Sequence, residues 1–212
     1  MRAEPICPRC FGPLCPPGAW SSAWRCGPHG DVLPLRFPRP PSDAVAQAVA
    51  RNALVPVWLL WPLPQGWLVT GFAEAGDERS GVRATAVALS GPSLTPGPAD
   101  MVIVAEEPGV GLGAGFAGLS ATDPGEGFDE GPPNAKVQIG GHPAALWCVE
   151  AASDRAVYAG EALGNWLWVV VWPAEAGYLM TLADIGMRDL RDQDQILDLP
   201  FGAFSPRLND DT

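Results

Sequence analysis

Two short motifs constrain this chain more than anything else in it: CPRC at residues 7–10 and CGPH at residues 26–29. Together they read C-x-x-C, a spacer of fifteen residues, then C-x-x-H. Each pair suits a knuckle, a tight turn that aims two side chains at one ion. Gly12 follows the first pair and Gly30 the second, where such turns often need a backbone without Cβ. The spacer is long enough for a short hairpin to return and bring the pairs together. Trp24, Val32 and Leu33 supply strand residues to pack beside the site. Grouped cysteines at this spacing predict a structural zinc ion on Cys7, Cys10, Cys26 and His29. Cys15 is the rival for the fourth place, but it lies inside GPLCPPG, away from either paired turn. Four protein ligands leave no coordination position open, so the predicted ion is structural and not catalytic. A piece this small has almost no core, and a bound zinc worth on the order of 10–16 kcal/mol decides its folding.

Charge divides the chain in the same place. The net charge is −11, yet residues 1–40 hold five arginines against Glu4 and Asp31, a net +3 that leaves −14 for the remainder. An acidic body repels a phosphate backbone and anionic lipid. The basic segment lacks clustered arginines interleaved with stacking residues, which argues against nucleic acid as the partner and for a protein. Apolar residues make up 47% and charged ones 17%, a globular balance. With 25 glycines and 24 prolines, the body should be rich in strands and loops, not a helical bundle.

No apolar signal segment follows Met1, and reduced, metal-binding cysteines fit a cytoplasmic protein. One uncharged stretch, Asn52 to Ala73, is long enough to span a bilayer, but Pro56, Pro62, Pro64 and Gly66 break any helix there. It reads as two buried strands around a turn at Gln65-Gly66.

The predicted fold class is therefore α+β: an N-terminal zinc ribbon (1–36), a Pro-rich linker with a short helix (37–52), a mainly antiparallel β-sheet domain with few helices (53–208), and an acidic tail (209–212). LPLRFPRPPSD should be an extended, fairly stiff connector. Ser42 or Asp43 can cap a helix through AVAQAVARN. Strands are expected at 55–61, 67–73, 83–90, 101–106, 136–139, 144–150, 156–161 and 165–172, with a hairpin turn in GGHP at 140–143. TLADIGMRDLRDQ reads better as a helix, with Leu182, Ile185 and Leu190 inward, than as an edge strand. NWLWVVVW at 165–172 is apolar on both strand faces: Trp166, Trp168, Val170 and Trp172 on one, Leu167, Val169 and Val171 on the other. It should be a central strand covered on both sides, or one with a face kept for a partner. The nine tryptophans then fill a core poor in Tyr and Phe, the alternative being an aromatic groove formed with Trp58, Trp61 or Trp147.

Catalytic patterns are sparse. Gly113, Gly115 and Gly118 make a formal GxGxxG after an apolar run, but Asp123-Pro124-Gly125 follows too soon for the helix a dinucleotide needs, and a flexible loop is expected. Glu106 and Glu107 end a strand before that Gly-rich loop, 109–118, and are the best acid/base candidates. His142 falls in a hairpin turn, and Cys148 reads as a small buried hydrophobe in mid-strand. DPGEGFDEGPPN reads as a mobile acidic loop.

The segments MRAEPICPRC, VPVWLLWPLPQGW, GDERSGVRATAVALSGP, EEPGVGLGAGFAGL, PPNAKV, DRAVYAGEALGNWLWVVVWP and SPRL carry a resemblance. From Met1 to Leu208 the chain resembles an uncharacterised actinobacterial family with a zinc-ribbon start and no established activity. Members of that family sometimes bear a phosphotransacetylase label. That enzyme class uses a larger α/β body, and nothing here resembles its coenzyme A and acetyl phosphate sites. The pattern around LPQGWLVTG is also similar to small antiparallel α+β domains of lipoproteins, without their lipid-anchoring cysteine. The expectation is a non-catalytic cytoplasmic interaction or regulatory protein with a zinc ribbon. The alternative is a small enzyme or small-molecule binder built on loop 109–118 with Glu106 and Glu107.

Overall fold

Five of the eight strand pairings in the large sheet join sequence neighbours, and three join segments far apart in the chain. The computed structural model describes residues 4–19, 21–94, 97–181, 185–192 and 198–208. A small hairpin comes first, β1 (Trp24–Cys26) with β2 (Gly30–Val32). Helix α1 (Asp43–Asn52) follows, its start fixed by the Ser42 hydroxyl, which accepts the Val45 amide. Then come β3 (Trp58–Leu60), β4 (Leu68–Asp77), β5 (Gly81–Pro92), β6 (Pro98–Glu106), α2 (Leu112–Ala117), β7 (Ala135–Ile139), β8 (His142–Val149), β9 (Ala156–Ala162), β10 (Asn165–Trp172) and β11 (Gly186–Asp189). Among the described residues, nine strands form one sheet in the order β3-β11-β7-β8-β9-β10-β6-β5-β4. Its pairings are antiparallel except β11 with β7.

The sheet curls, and it carries an apolar layer on each face. β10 shows why: Leu167, Val169 and Val171 join Trp58, Leu60, Phe72, Val87, Ile103 and Val137 inside the curl. Trp168, Val170 and Trp172 join a second core on the outer face with Ala86, Val104, Leu112 and Phe116. The alternation read from NWLWVVVW thus places a central strand between two cores, with β9 and β6 on either side. Trp58 lies in the inner core, so it forms no groove with the outer-face tryptophans. Trp166 and Trp147 instead pack edge-on around Phe128, with centroids 5.6 and 6.0 Å away. The acidic loop that carries Phe128 is pinned to the sheet at that point.

Several sequence expectations change. The turn at Gln65-Gly66 exists, with Gly66 at φ +81°, but the strands around it do not pair: β3 and β4 stand at opposite ends of the sheet. The expected helix after residue 181 is strand β11 followed by a 3-10 turn at Leu190–Asp192. β11 is no edge, since it lies between β3 and β7, and Leu190 is buried as expected. Short apolar runs carry no period that separates helix from strand, and here non-local pairing decides. Leu182 and the 209–212 tail lie outside the described residues. Cys148 is exposed and not buried, because strand position buries a side chain only where another layer covers it.

The Pro-rich connector is stitched to the sheet. Arg36 N donates to Glu74 O (2.9 Å), Gly76 N to Pro34 O (2.9 Å), and Arg39 and Phe72 exchange both backbone bonds (2.8 and 3.1 Å). Farther along the same edge of β4, Val69 N donates to Pro200 O, Gly202 N to Val69 O and Ser205 N to Thr70 O. The edge is thus covered by two segments from opposite ends of the chain, which satisfies backbone groups otherwise open to another strand.

Candidate metal centre

The first knuckle is built by its own backbone. Phe11 N donates to Cys7 O and Cys7 N to Gly12 O, both at 2.8 Å. The left-handed residue in this turn is Phe11 (φ +54°), not Gly12. A Cβ on Gly12 would lie 3.4 Å from the Cys10 sulfur, an ordinary contact, so neither backbone nor space demands glycine there. The second knuckle is the turn of the β1–β2 hairpin, where Cys26 pairs with Gly30 and Gly30 takes φ +69°.

These two turns bring Cys7, Cys10, Cys26 and His29 together, with donor atoms all within 4.8 Å of one another. His29 presents Nδ1, 3.5 Å from Cys7 Sγ and 3.4 Å from Cys26 Sγ, and Cys10 Sγ stands 3.7 Å from Cys26 Sγ. A tetrahedral ion with sulfur at about 2.3 Å and nitrogen at about 2.0 Å requires S–S edges of about 3.8 Å and S–N edges of about 3.5 Å. Those three contacts match these edges, and this Cys3His set can hold a metal ion. Cys15 is exposed and outside the group. Cys7 and Cys26 are buried while Cys10 is exposed. Burial pushes the free Cys7 thiol up to about 11, so a cation is what would hold its thiolate form at neutral pH.

The Gly-rich segment sits directly against this centre. Residues 112–117 are a short helix, α2, buried along its whole length, and not a flexible loop. The glycines permit two close approaches: a Cβ on Gly113 would stand 2.2 Å from Trp168, and one on Gly115 would stand 2.2 Å from the Pro8 carbonyl oxygen. Arg9, between the two cysteines of the first knuckle, donates to Gly109 O (2.6 Å) and Val110 O (3.2 Å). Phe11 packs on Phe116 with ring centroids 5.3 Å apart. Pro8, Arg9 and Phe11 are contact residues that the sequence did not single out. No pattern in CPRCF distinguishes a docking side chain from a solvated one.

The two carboxylates are already engaged. Glu106 is fully buried and accepts the Leu112 amide on one oxygen (2.6 Å) and the Gly113 amide on the other (3.1 Å). The amides that a phosphate would use are capped from within the chain. Burial raises Glu106 to about 7, against the lowering effect of the amides of Leu112 and Gly113. Glu107 binds Arg83 through both oxygens, at 2.8 and 2.7 Å. His142 is exposed at the start of β8.

A groove of about 950 Å³ runs between the ribbon and the β4–β5 turn, lined by Pro5, Trp24, Pro34, Phe37 and Arg79 among others. Phe37 on its wall is 59% exposed. Among the described residues no helix is long and apolar enough to cross a membrane.

The model of one protein family, described as a family of unknown function (DUF6758), matches residues 1–208. The chain belongs to that family. The match runs from the ribbon through the last 3-10 turn, Pro206–Leu208, so the family is defined by ribbon and sheet together. Searches of curated proteins and of solved structures find no match.

Proposed function

We propose that this DUF6758 member is a non-catalytic cytoplasmic protein that binds another protein, with a structural zinc ion on Cys7, Cys10, Cys26 and His29. The observation that carries the reading is the closed donor set: a tetrahedron filled by three sulfurs and one imidazole has no position for substrate or water. Zinc suits thiolate and imidazole donors at this spacing and undergoes no redox change of its own. The groove beside the ribbon, with exposed Phe37 and half-buried Trp24, supplies an apolar surface of the kind that receives a partner. The acidic body favours protein over nucleic acid.

An enzyme or small-molecule binder on loop 109–118 has weaker support, since Glu106 and the α2 amides satisfy each other and Glu107 is paired to Arg83. Metal analysis of the purified protein, together with crosslinking capture by wild type and a Phe37→Ala variant, tests the proposal. Stoichiometric zinc and a partner lost on Phe37→Ala are expected. Absence of zinc, or a co-purifying metabolite with no partner, overturns it.

A further inference from the structure

The loop that carries two of the ligands is also the loop that fastens the ribbon to the body. Within residues 7–12, Cys7 and Cys10 face the metal centre while Pro8, Arg9 and Phe11 face α2. The contacts on the α2 side leave no slack, because the Pro8 oxygen occupies the space where any side chain on Gly115 would stand. On the other side, Cys10 is the exposed residue among the three cysteines, and its sulfur lies 3.7 Å from that of the buried Cys26. A solvent-facing thiolate with a second sulfur in van der Waals contact is the arrangement in which oxidation ends in a disulfide.

We propose that the centre is a redox-sensitive latch, in which a Cys10–Cys26 disulfide formed by a peroxide-class oxidant frees the ribbon from α2. This rests on the zinc-ribbon reading above. The Cys10 thiolate attacks one peroxide oxygen; the O–O bond breaks, hydroxide leaves, and Cys10 becomes a sulfenic acid. The Cys26 thiolate then attacks the Cys10 sulfur, the S–S bond forms, and the S–O bond breaks with loss of a second hydroxide. Two protons convert the hydroxides to water, so two thiolates lose two electrons and one peroxide is reduced to two waters. Cys7 and His29 alone are too few to hold the ion. Drawing Cys10 in from 3.7 Å to bonding distance pulls loop 7–12 toward the β1–β2 turn and away from Gly115, Gly109 and Val110. Helix α2, which has no charged or hydroxyl side chain of its own, then loses its cover.

The test uses the full-length protein. Its zinc content is measured first: a chain that binds no zinc sinks the ribbon reading itself, separately from the latch. The zinc-loaded protein is then treated with hydrogen peroxide. Metal release is followed with a chromogenic chelator, disulfides by peptide mass mapping, and the 109–118 backbone by hydrogen exchange. Stoichiometric release, a Cys10–Cys26 bond and exchange at 109–118 faster by at least tenfold are expected, all reversed by a dithiol with added zinc. A Cys10→His variant keeps four ligands without the exposed thiolate and should retain its metal under peroxide. Zinc retained by wild type, a bond to Cys7 or Cys15 instead, or release with unchanged exchange at 109–118 overturns the latch.

Discussion

The Pro8 carbonyl oxygen rests against the α carbon of Gly115, so close that a Cβ at that glycine would stand 2.2 Å away. A backbone atom from between two candidate ligands thus fills the space that the second glycine of a formal GxGxxG leaves free. That glycine serves the contact between ribbon and sheet, not a phosphate.

Gly115→Ala should therefore separate the ribbon from α2. The obstacle is backbone and cannot rotate away, so a loss of about 2–3 kcal/mol is expected in urea unfolding. Metal binding should survive, because no ligand is touched. Metal content and denaturation measured on the same preparation check both halves.

Cys26→Ser removes a buried sulfur shared by the contacts to His29 and Cys10. Stoichiometric metal should be lost, and limited proteolysis should then cut within residues 1–36, since so small a module has little other than the ion to fold around. Cys15→Ser should leave the metal content unchanged.

Glu106 makes stability depend on pH. Its carboxyl titrates near 4.5 when unfolded and near 7 in the fold, where burial raises it, so between those values the folded chain holds more proton than the unfolded one. The stabilisation is complete below about pH 4.5 and is lost as pH rises to about 7, a total of roughly 3 kcal/mol. Glu106→Gln cannot ionise and should lack this fall, although it forfeits one amide bond. Urea midpoints of the two proteins from about pH 5 to 8 should diverge in slope.

Arg39 holds the connector to β4 through its backbone and also pairs with Glu74, which is 4% exposed. Burial already pushes the Glu74 carboxyl up against the opposing pull of Arg39 and Arg36. Arg39→Ala strands that carboxylate and should cost about 2–3 kcal/mol at neutral pH, and less in acid, where Glu74 takes a proton. Thermal unfolding at two pH values measures both.

Leu163 opens the β9–β10 turn with φ +54°, a conformation costly for a branched apolar residue, and it is 67% exposed. Leu163→Asn should raise stability by about 1 kcal/mol, since Asn tolerates this backbone and is favoured before glycine in such turns. Denaturant unfolding provides the comparison.

Features that depend on neighbours along the chain can be read from the residues alone. Strand β10 runs over Asn165–Trp172 as its alternation implies, Ser42 caps α1, Gly140 and Gly141 turn β7 into β8 at φ +57° and +83°, and the two knuckles carry the four donors. In each case the information is periodicity, a cap or a turn, and lies within a few residues. Features that require a distant partner emerge only in the folded chain. Tertiary structure turned residues 186–189 into a strand between β3 and β7, and it set β3 and β4 at opposite ends of one sheet. It also laid residues 34–39 along β4 and packed the glycines of 112–117 against Trp168 and Pro8. A glycine chosen for a close approach and one chosen for flexibility are the same letter. Only the atom that arrives opposite it distinguishes them, and here that atom comes from a turn more than a hundred residues away.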